Sequence, residues 1–207
     1  MIAHTQSPPH LRLADLCSKV FHGISASRQV AGGVERPVIQ IRDLYNGRVN
    51  AAGLKTVPTE QSAVSDYGVQ GGDIVVSAKG TIGKVALIDD GEHGWVISSN
   101  VIALRPRKDL INPAYLYAYF RSEHAPRQLD SIVVASATVK ALRASDLAEL
   151  VIPVQDRATQ DLLGRLALAC DEYVALADQC TIAAKQVLNE VLTSRISGKG
   201  GRLLNQN

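Results

Sequence analysis

Hydrophobic positions follow two regimes along the chain. Through residue 156 they come in short runs bounded by Gly, Pro, Asn and Asp; beyond it they recur at helical spacing without a break. The first regime predicts strands joined by turns. Its clearest runs are residues 74–77 and 84–88, separated by Ala78-Lys79-Gly80-Thr81-Ile82-Gly83. β-Branched and aliphatic side chains suit a pleated strand, and two glycines let the connection reverse, so the pair reads as a hairpin. Residues 37–44 alternate apolar with polar and predict a strand before a turn at Asn46-Gly47. Residues 95–106 predict two more strand pieces, and 131–135 and 150–154 one each. Residues 11–16 suit a short strand or a helix equally. Residues 22–28, 31–36 and 55–65 read as loops, the last leading into a short helix before Gly71-Gly72.

Asn112-Pro113 predicts a helix start, a capping side chain followed by proline in the first turn. Tyr115, Leu116, Tyr119 and Phe120 follow at helical spacing and predict a core face rather than a stacking platform. Ser145-Asp146-Leu147 marks a further short helix. From Arg157 to Ile196 there is no proline, and Gly164 is the sole glycine. Leu162, Leu166, Ala169, Tyr173, Leu176, Cys180, Ala183 and Val187 are spaced alternately four and three apart, a heptad seam. A helix of that length runs roughly 60 Å. Its stripe requires a partner helix, and the small Ala169, Cys180 and Ala183 predict close helix packing. The expected class is α+β, divided into a leader (1–10), a strand-rich domain (11–156), a long helix (157–196) and a flexible tail (197–207).

Composition narrows the function. The 207 residues are 46% hydrophobic, enough for a proper core, and net charge is only +2. Any basic surface must therefore come from arrangement. Cys17, Cys170 and Cys180 have neither metal-ligand spacing nor a paired disulfide pattern, which suits a reducing cytoplasm. No apolar run approaches the length of a membrane span. No His/Cys/Asp cluster or triad-like grouping points to catalysis or to a metal.

The 78–84 turn carries the most suggestive chemistry. Lys79, Thr81 and Lys84 offer two charged donors and a hydroxyl, a surface suited to phosphate oxygens and base edges. Gly83-Lys84 echoes the end of a nucleotide-binding P-loop, but Ala78 stands where that motif needs glycine and Val85 where it needs Ser or Thr. The bland alternative is a hairpin turn with solvated lysines.

Five stretches together resemble the specificity subunit of type I restriction-modification systems, in a half-length form with one target-recognition domain. They are Leu13-Ala14-Asp15-Leu16; Val38-Ile39-Gln40-Ile41-Arg42-Asp43-Leu44 with Asn46-Gly47-Arg48; Gly72-Asp73-Ile74-Val75-Val76-Ser77 with Gly80-Thr81-Ile82-Gly83-Lys84; Ser98-Ser99-Asn100-Val101-Ile102-Ala103-Leu104-Arg105-Pro106; and Asp146-Leu147 with Leu150-Val151-Ile152-Pro153 and Gln160. Two departures stand out. Full-length family members carry two recognition domains and two spacer helices, and this chain has one of each. After Ile152-Pro153 the family often continues with further prolines and a Glu-Gln pair, where this chain has Val154-Gln155-Asp156 and Thr159-Gln160.

The resemblance implies a globular part that reads bases in the major groove of double-stranded DNA. It also implies a long helix that pairs antiparallel with its mate, so that a homodimer recognises a bipartite target. Catalysis would belong to partners: an S-adenosylmethionine-dependent adenine methyltransferase (modification) subunit and, in a complete system, an ATP-driven restriction subunit. This chain would bind no cofactor. Besides Lys79, Thr81 and Lys84, DNA contacts are expected from Thr138 and Lys140, in the 136–140 loop where the family places variable recognition residues, and from Arg28, Arg42 and Arg48. Gln40 and Asn100 could pair with adenine, or satisfy backbone groups at strand ends. A competing class is a coiled-coil adaptor whose globular domain binds protein; a small enzyme is a third.

Overall fold

The computed structural model describes residues 7–25, 29–135 and 140–196. One compact unit ends at Leu168 and a second begins at Ala169.

In the first unit, β1 (His10–Arg12) leads into a single helical turn, α1 (Leu13–Leu16), and then β2 (Cys17–His22). Segment 11–16 is therefore both strand and helix. Leu13 and Leu16 are fully buried, so this turn anchors the chain. His10, grouped with the leader on sequence, opens β1 by pairing with Pro153. Strand β3 (Gln29–Ile39) extends through residues 31–36, which read as loop. The glycines that suggested a loop sit at an irregularity instead: Gln29 and Val34 both face Thr59, with Gly32 at φ +79° between them. The strand stops at Ile39, and residues 41–43 form a 3-10 turn in place of the expected continuous strand.

Strands β4 (Leu44–Tyr45) and β5 (Arg48–Val49) are joined by Asn46 and Gly47, both at positive φ as a tight hairpin requires. Strand β6 (Lys55–Thr59) replaces the expected loop because it completes a long ribbon with β3. Helix α2 (Ala63–Tyr67) precedes the central hairpin β7 (Ile74–Ser77) and β8 (Val85–Leu87). Strands β9 (Val96–Ile97) and β10 (Val101–Pro106) follow.

Asn112 caps α3 (Pro113–Arg121), its side chain accepting from the Ala114 amide at 2.8 Å. Tyr115, Leu116, Tyr119 and Phe120 are all core residues, as their spacing required. Helix α4 (His124–Ile132) takes up part of the predicted 131–135 strand, leaving β11 (Val134–Ala135) to pair with β12 (Lys140–Ala141). Helix α5 (Ala144–Ala148) and β13 (Val151–Pro153) close the unit, with β13 antiparallel to β1.

The centre is a four-stranded antiparallel sheet in the order β2-β10-β7-β8. Alternate residues face opposite sides. Ile74, Val76, Ile102 and Leu104 pack with Leu13, Leu16, Tyr117 and Leu147 on one side. Val75, Ala86, Val101 and Ala103 pack with Ile39, Leu44 and Val49 on the other. Both faces are covered, which explains why these strands read as continuous apolar runs.

Helix α6 (Arg157–Ile196) is 40 residues long and contains the division between the two units. Within the first unit its opening turns are fixed by Gln160, which is 4% exposed. The Gln160 carbonyl oxygen accepts from the Asn112 amide at 2.7 Å, and its NH2 donates to the Gln155 carbonyl at 2.7 Å. Gly164 lies against α3 so closely that a Cβ would sit 2.8 Å from that of Ala114. No described helix is long and apolar enough to cross a membrane.

Candidate nucleic-acid interface

The β7–β8 turn is built from Ser77 outward. Ser77 is fully buried; its hydroxyl donates to the Thr81 carbonyl at 2.6 Å and accepts from the Lys84 amide at 2.8 Å. One side chain at the start of the turn thus ties down its middle and its far end. Gly80 and Gly83 adopt φ of +69° and +87°, which side chains with a Cβ rarely adopt. Beyond this frame Lys79, Thr81 and Lys84 are exposed. Neither lysine has a carboxylate partner among the described residues, so both ammonium groups are available to an outside anion. Lys84 leads into a strand, not a helix, unlike the lysine of a nucleotide-binding loop.

The turn has a neighbour. Lys79 forms an antiparallel bridge with Ala141, and the Leu142 amide donates to the Ala78 carbonyl at 2.8 Å. Lys140, next along β12, is therefore carried to the same end of the sheet, and it is exposed. Strand alternation sends its side chain to the other face from that opposite Lys79. Thr138 and Arg28 lie outside the described residues.

Arg42 and Arg48 are not part of this group. Arg48 is tied by Nη1 to Asp89 at 3.2 Å, beside the Leu87 amide that donates to the Gly47 carbonyl. That position lies toward the opposite end of β8. Arg42 sits on the 3-10 turn after β3, its Nε 3.5 Å from the Asp43 carboxylate. Gln40, on the rim of the same turn, uses its side chain to accept from the Asp43 amide, so it satisfies the backbone as one of its two expected roles required.

His22 was not singled out in the sequence, where a lone histidine at a strand end carries no signal. Its Nε2 accepts from the Ala144 amide at 3.3 Å, and its Nδ1 is buried without a partner among the described residues. Burial, and then the nearby Lys79 charge, push its pKa below the ordinary value. Its neutral form is favoured, and in that form it accepts the hydrogen bond that opens α5. Burial raises the Cys17 thiol to about 12, so it is no nucleophile. No group of three or more His, Cys, Asp or Glu among the described residues could hold a metal ion.

On α6 the seam residues Leu162, Leu166, Tyr173, Leu176 and Val187 are 54–74% exposed, and Ala169, Cys180 and Ala183 are exposed too. Isolated apolar side chains on a surface are ordinary, whereas a contiguous exposed stripe is the kind of feature that marks interaction sites in general.

Residues 11–161 match the type I restriction modification DNA specificity domain, and the chain belongs to that family. Among curated proteins it is 22% identical over 166 residues to one from Methanocaldococcus jannaschii named "Putative type I restriction enzyme MjaX specificity subunit". The match covers 78% of this chain and 39% of that protein. Among solved structures, the HsdS subunit from Thermoanaerobacter tengcongensis aligns with a TM-score of 0.63 at 15% identity, over 97% of this chain and 52% of that one. The type I restriction-modification S subunit from M. genitalium gives the same TM-score and identity, over 97% and 48%. The α+β class with a long C-terminal helix is that of these structures, and the chain spans about half the length of each.

Proposed function

We propose that this chain is the DNA-recognition subunit of a type I restriction-modification complex. Its strand-rich unit binds double-stranded DNA through the turn that bears Lys79, Thr81 and Lys84, with Lys140 and Thr138 as further contacts. The exposed seam of α6 pairs with that of a second copy, antiparallel, so that two units read a bipartite target across a fixed gap. Methyl transfer to adenine belongs to a modification subunit, which holds S-adenosylmethionine; cleavage, where it occurs, belongs to a restriction subunit. This chain supplies selection and no chemistry.

The observation that carries the reading is a hydrogen-bonded glycine turn presenting two cations without carboxylate partners among the described residues. Lysines in that state are point charges suited to phosphate oxygens. Binding of labelled duplex DNA to the full chain, measured across a salt series, tests it. The logarithm of affinity falls with the logarithm of salt by about 0.9 per phosphate neutralised. K79A/K84A flattens that slope by about two if each lysine neutralises one phosphate. The adaptor reading, favoured by the weak net charge of +2, instead predicts no duplex binding and a protein partner held independently of salt.

A further inference from the structure

A second feature occupies the same end of the central sheet as the turn. β7 ends there, β10 begins there and β2 runs out there, so Asn100 lies next to the Ala78 backbone and Ile24 next to residues 97–99. The Ala78 amide donates to the Asn100 carbonyl at 2.8 Å, and the Ser99 amide to the Ile24 carbonyl at 3.0 Å. Between these segments and the 3-10 turn after β3 is an open cavity of about 350 Å³. Ile24, Val38 and Val57 contribute apolar lining, and Gln40, Arg42 and Asn100 contribute polar groups.

Arg42 is held on an ordered support. The Gln40 amide donates to Asp43 Oδ2 at 2.8 Å, while the Gln40 side chain accepts from the Asp43 amide, a reciprocal cap that fixes the three-residue turn. Asp43 is 8% exposed, and its Oδ1 lies behind Arg42 on the Nε side. Both terminal nitrogens of Arg42 remain free of partners among the described residues, and its side chain is 53% exposed. This differs from Arg48, whose terminal nitrogen is engaged by Asp89. It differs equally from the lysines, which have charge but no planar fork.

We propose that Arg42 reads a guanine in the DNA major groove, its two terminal nitrogens donating to O6 and N7, with Asn100 lining the same opening. A guanidinium whose Nε side faces the buried Asp43 carboxylate, and whose two terminal nitrogens have no partner among the described residues, can present the fork this pairing uses. Asp43 is a positioning residue in this arrangement, and the lysines of the neighbouring turn hold phosphates. The assignment rests on the DNA-recognition reading above and adds a division of labour: charge on the turn, sequence at the cavity.

Selection of the full chain on a pool of randomised duplexes, followed by sequencing, tests it. Wild type enriches a motif containing a guanine for which R42Q and R42K both lose preference, by roughly tenfold. R42K keeps the charge and so keeps most of the salt slope, whereas K79A weakens binding to every sequence and flattens the slope. Replacing that guanine by 7-deazaguanine weakens wild type and leaves R42Q unaffected. If R42K retains the preference, or if R42Q weakens all sequences alike, Arg42 contacts phosphate and the assignment falls while DNA recognition stands. If wild type enriches nothing, DNA recognition falls and the assignment with it. Equal thermal melting of R42K and wild type shows that the fold is intact in the comparison.

Discussion

Asp73 and Arg105 form a two-pronged ion pair, Nε to Oδ1 at 3.0 Å and Nη2 to Oδ2 at 2.8 Å, with Asp73 only 1% exposed. Arg105 also donates to the Gly68 carbonyl at 2.9 Å, and its guanidinium lies 5.7 Å from the Phe21 ring centroid. The pair fastens the far end of β10 to the turn that starts β7. Removing the arginine strands a buried carboxylate, which typically costs about 3–5 kcal/mol. R105M is therefore expected to lose about 3 kcal/mol in urea unfolding at neutral pH, and D73N/R105M less than the sum of the single changes.

Gly164 gives a prediction in which two effects compete. In an isolated helix, alanine in place of glycine gains about 1 kcal/mol. Here the new methyl would meet the Ala114 Cβ at 2.8 Å and the Tyr115 amide nitrogen at 3.0 Å. Two of its three nearest atoms are backbone, which gives way less readily than a side chain. Overpacking of this kind costs about 1–3 kcal/mol. G164A is expected to be net destabilised, and a raised melting temperature would contradict the packing argument.

The pH dependence follows from His22. Its folded-state pKa lies below the ordinary 6.5, through burial and then the Lys79 charge. Between the two values the unfolded chain binds the proton and the folded one does not. Stability is thus undiminished above about 6.5 and falls as pH drops toward the lowered value. H22Q, which keeps an acceptor for the Ala144 amide, removes this contribution. Its melting temperature should decline less than that of wild type between neutral pH and mild acid.

The helix seam predicts association. Leu176 is 54% exposed, so L176E removes little from the folded monomer. Light scattering should give a dimer mass for wild type and a monomer mass for L176E, at unchanged melting of the strand-rich unit. Truncation before Arg157 would be a poorer test, because it also deletes Gln160 and Gly164, which belong to the packed unit.

The hairpin at 74–88, the capped helix at Asn112 and the full extent of α6 were legible because each depends on local rules: glycine in turns, proline after a cap, an unbroken heptad. The ribbon of β3 and β6 was not. Its residues are polar and glycine-bearing, and they become strand only through pairing with each other across more than fifteen positions of chain. The same limit applied to the candidate site. Lysines in a glycine turn announce themselves, but that Lys140 is carried to the turn end depends on a bridge between Lys79 and Ala141. The turn that carries Arg42 depends on a cap between Gln40 and Asp43 within a segment that reads as plain strand. His22 gave no signal because its character comes entirely from what surrounds it.

The pairing of His10 with Pro153 has a consequence for how such a chain can vary. Because β1 and β13 are antiparallel neighbours, the chain enters and leaves the strand-rich unit at one spot. Ten residues or a hundred could be joined at either side without drawing a strand out of the central sheet, whose members all lie between. The unit is a cassette with a single neck. An exchange at this neck would have to preserve the seat of Gln160 and Gly164 on Asn112 and Ala114, where the unit also grips the long helix.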